Sequence, residues 1–471
     1  RALTTSQVSA MTTAQVAAMT SSQLNAMEAD DLQALTANQI KSLTTGQVQD
    51  LSAEQVALML TSQVAVLSDD QVAELSAAAI TALTTAQISE LSTSALNALS
   101  TAQLAALEVA DVAALTTAQV SKLSGEQLSK LNNEQIVALT TSQVQALTKN
   151  QLTSLTTGQL NNMAAEDLQA LTTAQLRALS TGQVSNLIAE QLNRMTTAQL
   201  QALGTEQVVA LTSGQLNAMT TSNLTSLTTT QVSKLTTGQI SQLSQEQVRA
   251  LTTSQVSAMT TAQVAALTSS QLNAMEADDL QALTANQIKS LTTGQVQDLS
   301  AEQVALMLTS QVAVLSDDQA AELSAGAIAA LTTAQISELS TKAIAALSTG
   351  QIAALEVADV AELTTTQFKR MTTGQIAQLS QEQVRALTTS QVSAMTTAQV
   401  AAMTSSQLNA MEADDLQALT ANQIKSLTTG QVQDLSAEQV ALMLTSQVAV
   451  LSDDQVAELS AAAITALTTA Q

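Results

Sequence analysis

The chain has 471 residues, with 39 acidic against 15 basic side chains and a net charge of −24. It contains no Cys, His, Pro, Trp or Tyr and a single Phe, Phe368. Disulfides, thiolate metal sites and histidine-based acid–base chemistry are therefore excluded, and the acidic balance works against binding nucleic acid or anionic membranes.

From Leu3 onward the chain restarts the same eight-residue phrase: Leu or Met, Thr or Ser, two small or polar residues, usually Gln, an aliphatic residue, then two variable positions. All 59 octad starts, Leu3 to Leu467, are Leu or Met, and all 15 methionines sit there. Such regularity predicts one continuous array over 1–471, and an ordinary active site is not expected in it. The array opens and closes in mid-octad, at Arg1 and Gln471, which reads as a segment of a longer chain.

A continuous α-helix does not fit the octad. Eight residues advance by about 800°, so an apolar stripe drifts by ~80° per repeat. A plain strand fails too, because positions 1 and 6 fall on opposite faces. Thr or Ser at position 2 with Gln at position 5 is instead a capping box, and the apolar residues at positions 1 and 6 form the hydrophobic staple around it. Each octad is then a capped helix of about one and a half turns. Charge placement agrees: 30 of the 39 acids lie at positions 2–5 and 13 of the 15 bases at positions 7–8, the polarity a helix dipole favours.

The fold expected is an all-α solenoid of very short capped helices, one per octad. Isolated helices this short are marginal in water, so positions 1 and 6 must be buried on neighbouring octads, with position 7 mostly exposed. The alternative is a β-solenoid. Thr, Val and Ile suit strands, and ten of the 12 glycines, such as Gly46 and Gly158, lie at position 4, where a tight turn would fit.

Along the chain, Glu28, Asp30 and Asp31 make the first acidic cluster, recurring at Glu276, Asp278, Asp279 and at Glu412, Asp414, Asp415. The pair Asp69 and Asp70 recurs at Asp317–Asp318 and Asp453–Asp454, and Glu108 with Asp111 recurs at Glu356 with Asp359. Three carboxylates in four residues can help bind Ca²⁺, but the spaced ligands and glycine turn of a calcium loop are missing. Charge at a helix start is the simpler reading. Ala79, Ala95, Ala327 and Ala343 replace the Gln and should break the cap locally. The Gln column itself admits a ladder between filaments, but capping explains it with less. The Thr-Thr pairs make a hydroxyl array that ice or sugar binding would use. Asn223-Leu224-Thr225 matches a glycosylation sequon. Phe368, followed by Lys369 and Arg370, is the one local oddity, read as a bulky core substitution beside two exposed bases. No catalytic, cofactor-binding or metal residue is assigned.

A longer repeat overlies the octads. Residues 3–87 recur unchanged at 387–471, and a close copy begins at Leu251. The offsets are multiples of eight, so whole octads were copied in frame, which a solenoid tolerates.

The phrase Ala-Leu-Thr-Thr-Ala-Gln, at residues 114–119 and again around Leu331, resembles the repeat tracts of very large bacterial surface proteins of the adhesin or haemagglutinin-like kind. The resemblance covers essentially the whole chain. It implies an extracellular, cell-surface location and a non-enzymatic filament or stalk serving attachment, sheath or biofilm matrix, with self-association into a fibre. A repetitive surface for Ca²⁺, sugar or ice is the alternative function.

Overall fold

The computed structural model describes residues 3–471. Its regular structure consists of 58 helices of four to six residues, and no strand occurs among the described residues. The all-α solenoid of short helices is the observed architecture, and the β-solenoid is set aside. Contacts divide the chain into two units, residues 1–234 and 235–471.

The octad at Leu43 shows how local chemistry makes each turn. Leu43 (φ −58°, ψ 132°) and Thr44 (φ −71°, ψ 155°) are extended, and the helix Thr45–Gln49 follows at once. The Thr44 hydroxyl accepts from the Gln47 N–H at 3.2 Å, and Gln47 Oε1 accepts from the Thr44 N–H at 2.8 Å. That pair is the reciprocal capping box, and it satisfies two backbone donors that a helix start leaves open. The helix ends when the N–H of the next position 1, Leu51, donates to the Val48 carbonyl at 3.2 Å. The chain thus turns at the two extended residues that carry the staple leucine and the cap.

The position 4 glycines do not make the turns. Gly46 lies inside its helix, a Cβ there would meet nothing within 4 Å, and no described glycine has a positive φ. At Gly125 a Cβ would sit 2.1 Å from Ser154 Oγ, so a larger residue there requires the Ser154 side chain to move.

Within unit 1 a helix packs on the third helix along: Thr13–Ala17 on Ala37–Ser42, then Ala37–Ser42 on Thr61–Val64. Unit 2 repeats the rule, with Ala301–Leu306 on Ala325–Ala329 and Ala325–Ala329 on Thr349–Ala354. One coil therefore takes between three and four octads. The seam inside it is made of positions 1 and 6, as expected: Leu35 is 3% exposed and Ile40 0%. Burying such a side chain contributes ~1.5–3 kcal/mol, which is what holds helices too short to stand alone.

Candidate functional site

The residue type that links the coils is the glutamine at position 5. Gln47 Nε2 donates to the Val16 carbonyl at 3.0 Å and to the Met19 carbonyl at 2.7 Å. These partners lie 31 and 28 residues earlier, at position 6 four octads back and position 1 three octads back. The same pair of bonds recurs throughout each unit, from Gln71 to Ile40 and Leu43 in unit 1 and from Gln367 to Ile336 and Leu339 in unit 2. Such a glutamine caps its own helix with Oε1 and clamps the coil beneath with Nε2.

This corrects the expectation that capping alone explains the column. The glutamines are also buried, Gln39 at 2% exposure. Burial of an amide is tolerated because both of its ends are bonded. The signal was present in the composition of the column. A capping box accepts Glu as readily as Gln, yet position 5 holds 47 Gln, six Asp, five Ala, one Asn and no Glu. A carboxylate of the same length has no N–H to give the carbonyls below.

A second ladder runs from position 7. Asn25 Nδ2 donates to the Asp50 carbonyl at 2.7 Å, Gln33 Nε2 to Leu58 at 2.8 Å and Arg177 Nε to Ala202 at 2.8 Å, each 25 residues on. Asn161 also accepts, taking the Ile188 N–H with Oδ1 at 2.9 Å. That bond displaces Gln191 from its cap and leaves Gln191 Oε1 buried without a partner.

The alanine octads keep half of their cap. Ser76 Oγ still accepts from the Ala79 N–H at 3.1 Å, so Ala removes the reciprocal bond and the rung but not the N-cap.

The acidic clusters are split by the fold. Glu276 and Asp278 are exposed, while Asp279 at position 5 is buried, and Glu412, Asp414 and Asp415 repeat the arrangement. In the first copy Glu28 and Asp30 are exposed and Asp31 is half-buried. The pairs at Asp69–Asp70, Asp317–Asp318 and Asp453–Asp454 are exposed on the first helical turn. Among the described residues no three carboxylates come together as a group able to hold a metal ion. Glu28, Glu276 and Glu412 occupy the N-cap position but make no side-chain cap bond.

Burial raises the carboxyls at position 5 above the usual carboxylate range. Asp279 and Asp415 are each pushed up to about 6, first by burial and then by their acidic neighbours. Asp167 is raised by burial and by Glu166. Asp111 and Asp359 are also raised by burial, against the lowering effect of the N–H bonds they accept from Glu108 and Glu356 at 3.1 and 3.2 Å.

Asn223 is a rung rather than an open acceptor site. Its Nδ2 donates to the carbonyls of Leu192 at 3.3 Å and Asn193 at 3.2 Å. Phe368 is fully buried at position 6, with Lys369 and Arg370 exposed beside it. The Thr-Thr pairs, such as Thr44 with Thr45 and Thr292 with Thr293, lie exposed. The position 2 hydroxyl is committed to the cap, so position 3 carries the free face.

The sequence of this repeat decides its kinship. The ALTTAQ repeat model matches residues 1–27, 24–61, 104–141, 160–197, 189–221, 245–277, 272–309, 326–357, 352–389, 381–413 and 408–444. The chain belongs to the ALTTAQ repeat family. No curated protein matches it. In structural terms an ALTTAQ octad is Leu in the seam, Thr at the cap, and Gln at both the cap and the rung. No helix among the described residues is long and apolar enough to cross a membrane.

Proposed function

We propose that the chain is a non-enzymatic structural segment, a stalk or filament element of a bacterial extracellular or cell-surface protein. Attachment, sheath or biofilm matrix are the roles that suit it. The observation that carries this reading is the sameness of the rungs. Within each unit most position 5 glutamines tie their coil to the one beneath through the same two backbone carbonyls, so an added octad can reuse the same interface. Stability in such an array is a sum over neighbours. Length is then the property that duplication changes, and the in-frame copies at 251 and 387 are duplications of that kind. The net charge of −24 keeps neighbouring arrays soluble.

Small-angle scattering of the 471-residue chain and of versions shortened by whole coils tests the reading. An extended element gives a radius of gyration that falls in proportion to the octads removed. A radius near the ~23 Å of a globule of this length contradicts it. Fibres seen by electron microscopy in the presence of chelator support self-association. The exposed position 3 threonines favour one second reading, a repetitive binding face for ice or sugar, which thermal hysteresis or glycan-array binding would support.

A further inference from the structure

Six residues of the position 5 column are carboxyls where most of the column has amides, and two of them, Asp279 and Asp415, sit in matching sequence. Asp279 stands 31 and 28 residues after Val248 and Leu251, and Asp415 stands in the same register after Val384 and Leu387. Residues 248–283 and 384–419 differ only in Leu267 against Met403, so the two sites are repeats of one arrangement. A glutamine at this place donates to both carbonyls, as Gln271 does to Ile240 at 2.9 Å and Leu243 at 2.7 Å. A side chain one methylene shorter still reaches: Asn223 donates to Leu192 and Asn193. Asn and protonated Asp have the same length and each offers a donor, whereas ionised Asp offers acceptors only. Asp111 and Asp359 spend their carboxylates on the cap N–H, and the structure shows no such bond at Asp279 or Asp415.

We propose that Asp279 and Asp415 are acid-closed rungs: with a proton on the carboxyl they donate to the backbone carbonyls of the coil beneath, and without it the two coils are unclamped there. Acid therefore tightens the solenoid at two places 136 residues apart. The charged groups around Asp279 are Glu276 and Asp278 on its own octad, and Glu302 on the helix Ala301–Leu306 packed against it. The helix Thr253–Ala258 beneath brings none. Glu246 and Arg249 lie on the octad that supplies Val248, and Lys289 on the octad that follows. Around Asp415 the counterparts are Glu412, Asp414, Glu438, Glu382, Arg385 and Lys425, and the helix Thr389–Ala394 again brings none. Burial with acidic neighbours holds both groups up to about 6, within reach of mildly acidic surroundings.

Hydrogen exchange of the full chain, with a double variant Asp279→Asn and Asp415→Asn, tests this. Asn closes the rung at any pH and is already accommodated at position 223. At pH 7.5 the double variant should slow amide exchange across 248–283 and 384–419 by roughly two- to tenfold, the effect of one added hydrogen bond. At pH 5 variant and parent should match. The control, Asp278→Asn with Asp414→Asn, removes the same charge from exposed sites and should leave these spans unchanged. The proposal is overturned by no slowing at pH 7.5, by equal slowing at both pH values, or by a control that slows exchange as much as the rung variant.

Discussion

Residues 3–34 and 387–418 have the same sequence and different surroundings. In the first stretch Gln7, Gln15 and Gln23 are exposed and Met11 and Met19 half-buried. In the second, Gln391, Gln399 and Gln407 are buried, and their amides donate to Val360 and Leu363, Phe368 and Met371, and Ile376 and Leu379. Met395 and Met403 are buried with them. Both stretches form the same capped helices, with Thr12 and Thr396 making the same box. Helix formation is thus local to the octad, while the rung belongs to the stack. Position 6 is buried in both, Val8, Val16 and Leu24 as well as Val392, Val400 and Leu408, whereas positions 1 and 5 are buried only where another coil lies beneath, the nearest-neighbour behaviour of a one-dimensional array.

The largest effect should come from a charge in a clamped rung. Gln399→Glu sets a carboxylate against the carbonyls of Phe368 and Met371 and should cost ~3–5 kcal/mol of local stability. Gln15→Glu, the same change in the same sequence, should cost almost nothing because its amide is exposed. Hydrogen exchange across each stretch reads both. Equal costs would break the distinction between octad and stack.

Next comes the seam. Met403→Ala should cost ~2–5 kcal/mol, and Met19→Ala clearly less, measured in the same way. Comparable losses would show that the first coil is as well packed as the later one.

A smaller effect follows from the carboxyls at position 5. An acid whose folded pKa lies above its unfolded value binds its proton more tightly in the folded state. The stability it lends is full below the ordinary value of 3.8 and is lost as pH rises through about 6 for Asp279 and Asp415. Exchange protection of 387–418, corrected for intrinsic rates, should therefore fall between pH 5 and 7.5. Protection that rises over this interval would contradict the burial of Asp415. The smallest effect expected is that of Ca²⁺. Chelation should leave the melting temperature unchanged, because the exposed and buried members of each acidic cluster do not converge. A clear loss on chelation would restore the calcium reading.

Much of this is legible in the octad itself. Thr44, Gln47 and the staple residues Leu43 and Val48 are separated by fewer than six residues, so their roles follow from local rules of helix starts. The rung was not legible as a contact. Its partners lie 28 and 31 residues away, and the octad repeat leaves open how many octads complete a coil. The trace it left was an absence, the lack of Glu at position 5, whose meaning depends on carbonyls that only the coil supplies. Likewise Asn223 matches a sequon in isolation, but its amide is engaged by Leu192 and Asn193 once the coils are stacked.

The central claim is the register, octad against octad three and four earlier. The chain has no cysteine, which makes cross-linking a direct test. Thr197 Oγ1 and Ser226 Oγ lie 3.2 Å apart, joining position 3 of one coil to position 8 of the next, 29 residues on. The pair Thr197→Cys with Ser226→Cys should oxidise readily to an intramolecular disulfide. Pairing Thr197→Cys with Ala218→Cys or with Lys234→Cys, one octad short or long, should not. Rapid oxidation of either offset pair, with the 197–226 pair remaining reduced, would contradict the coil described here.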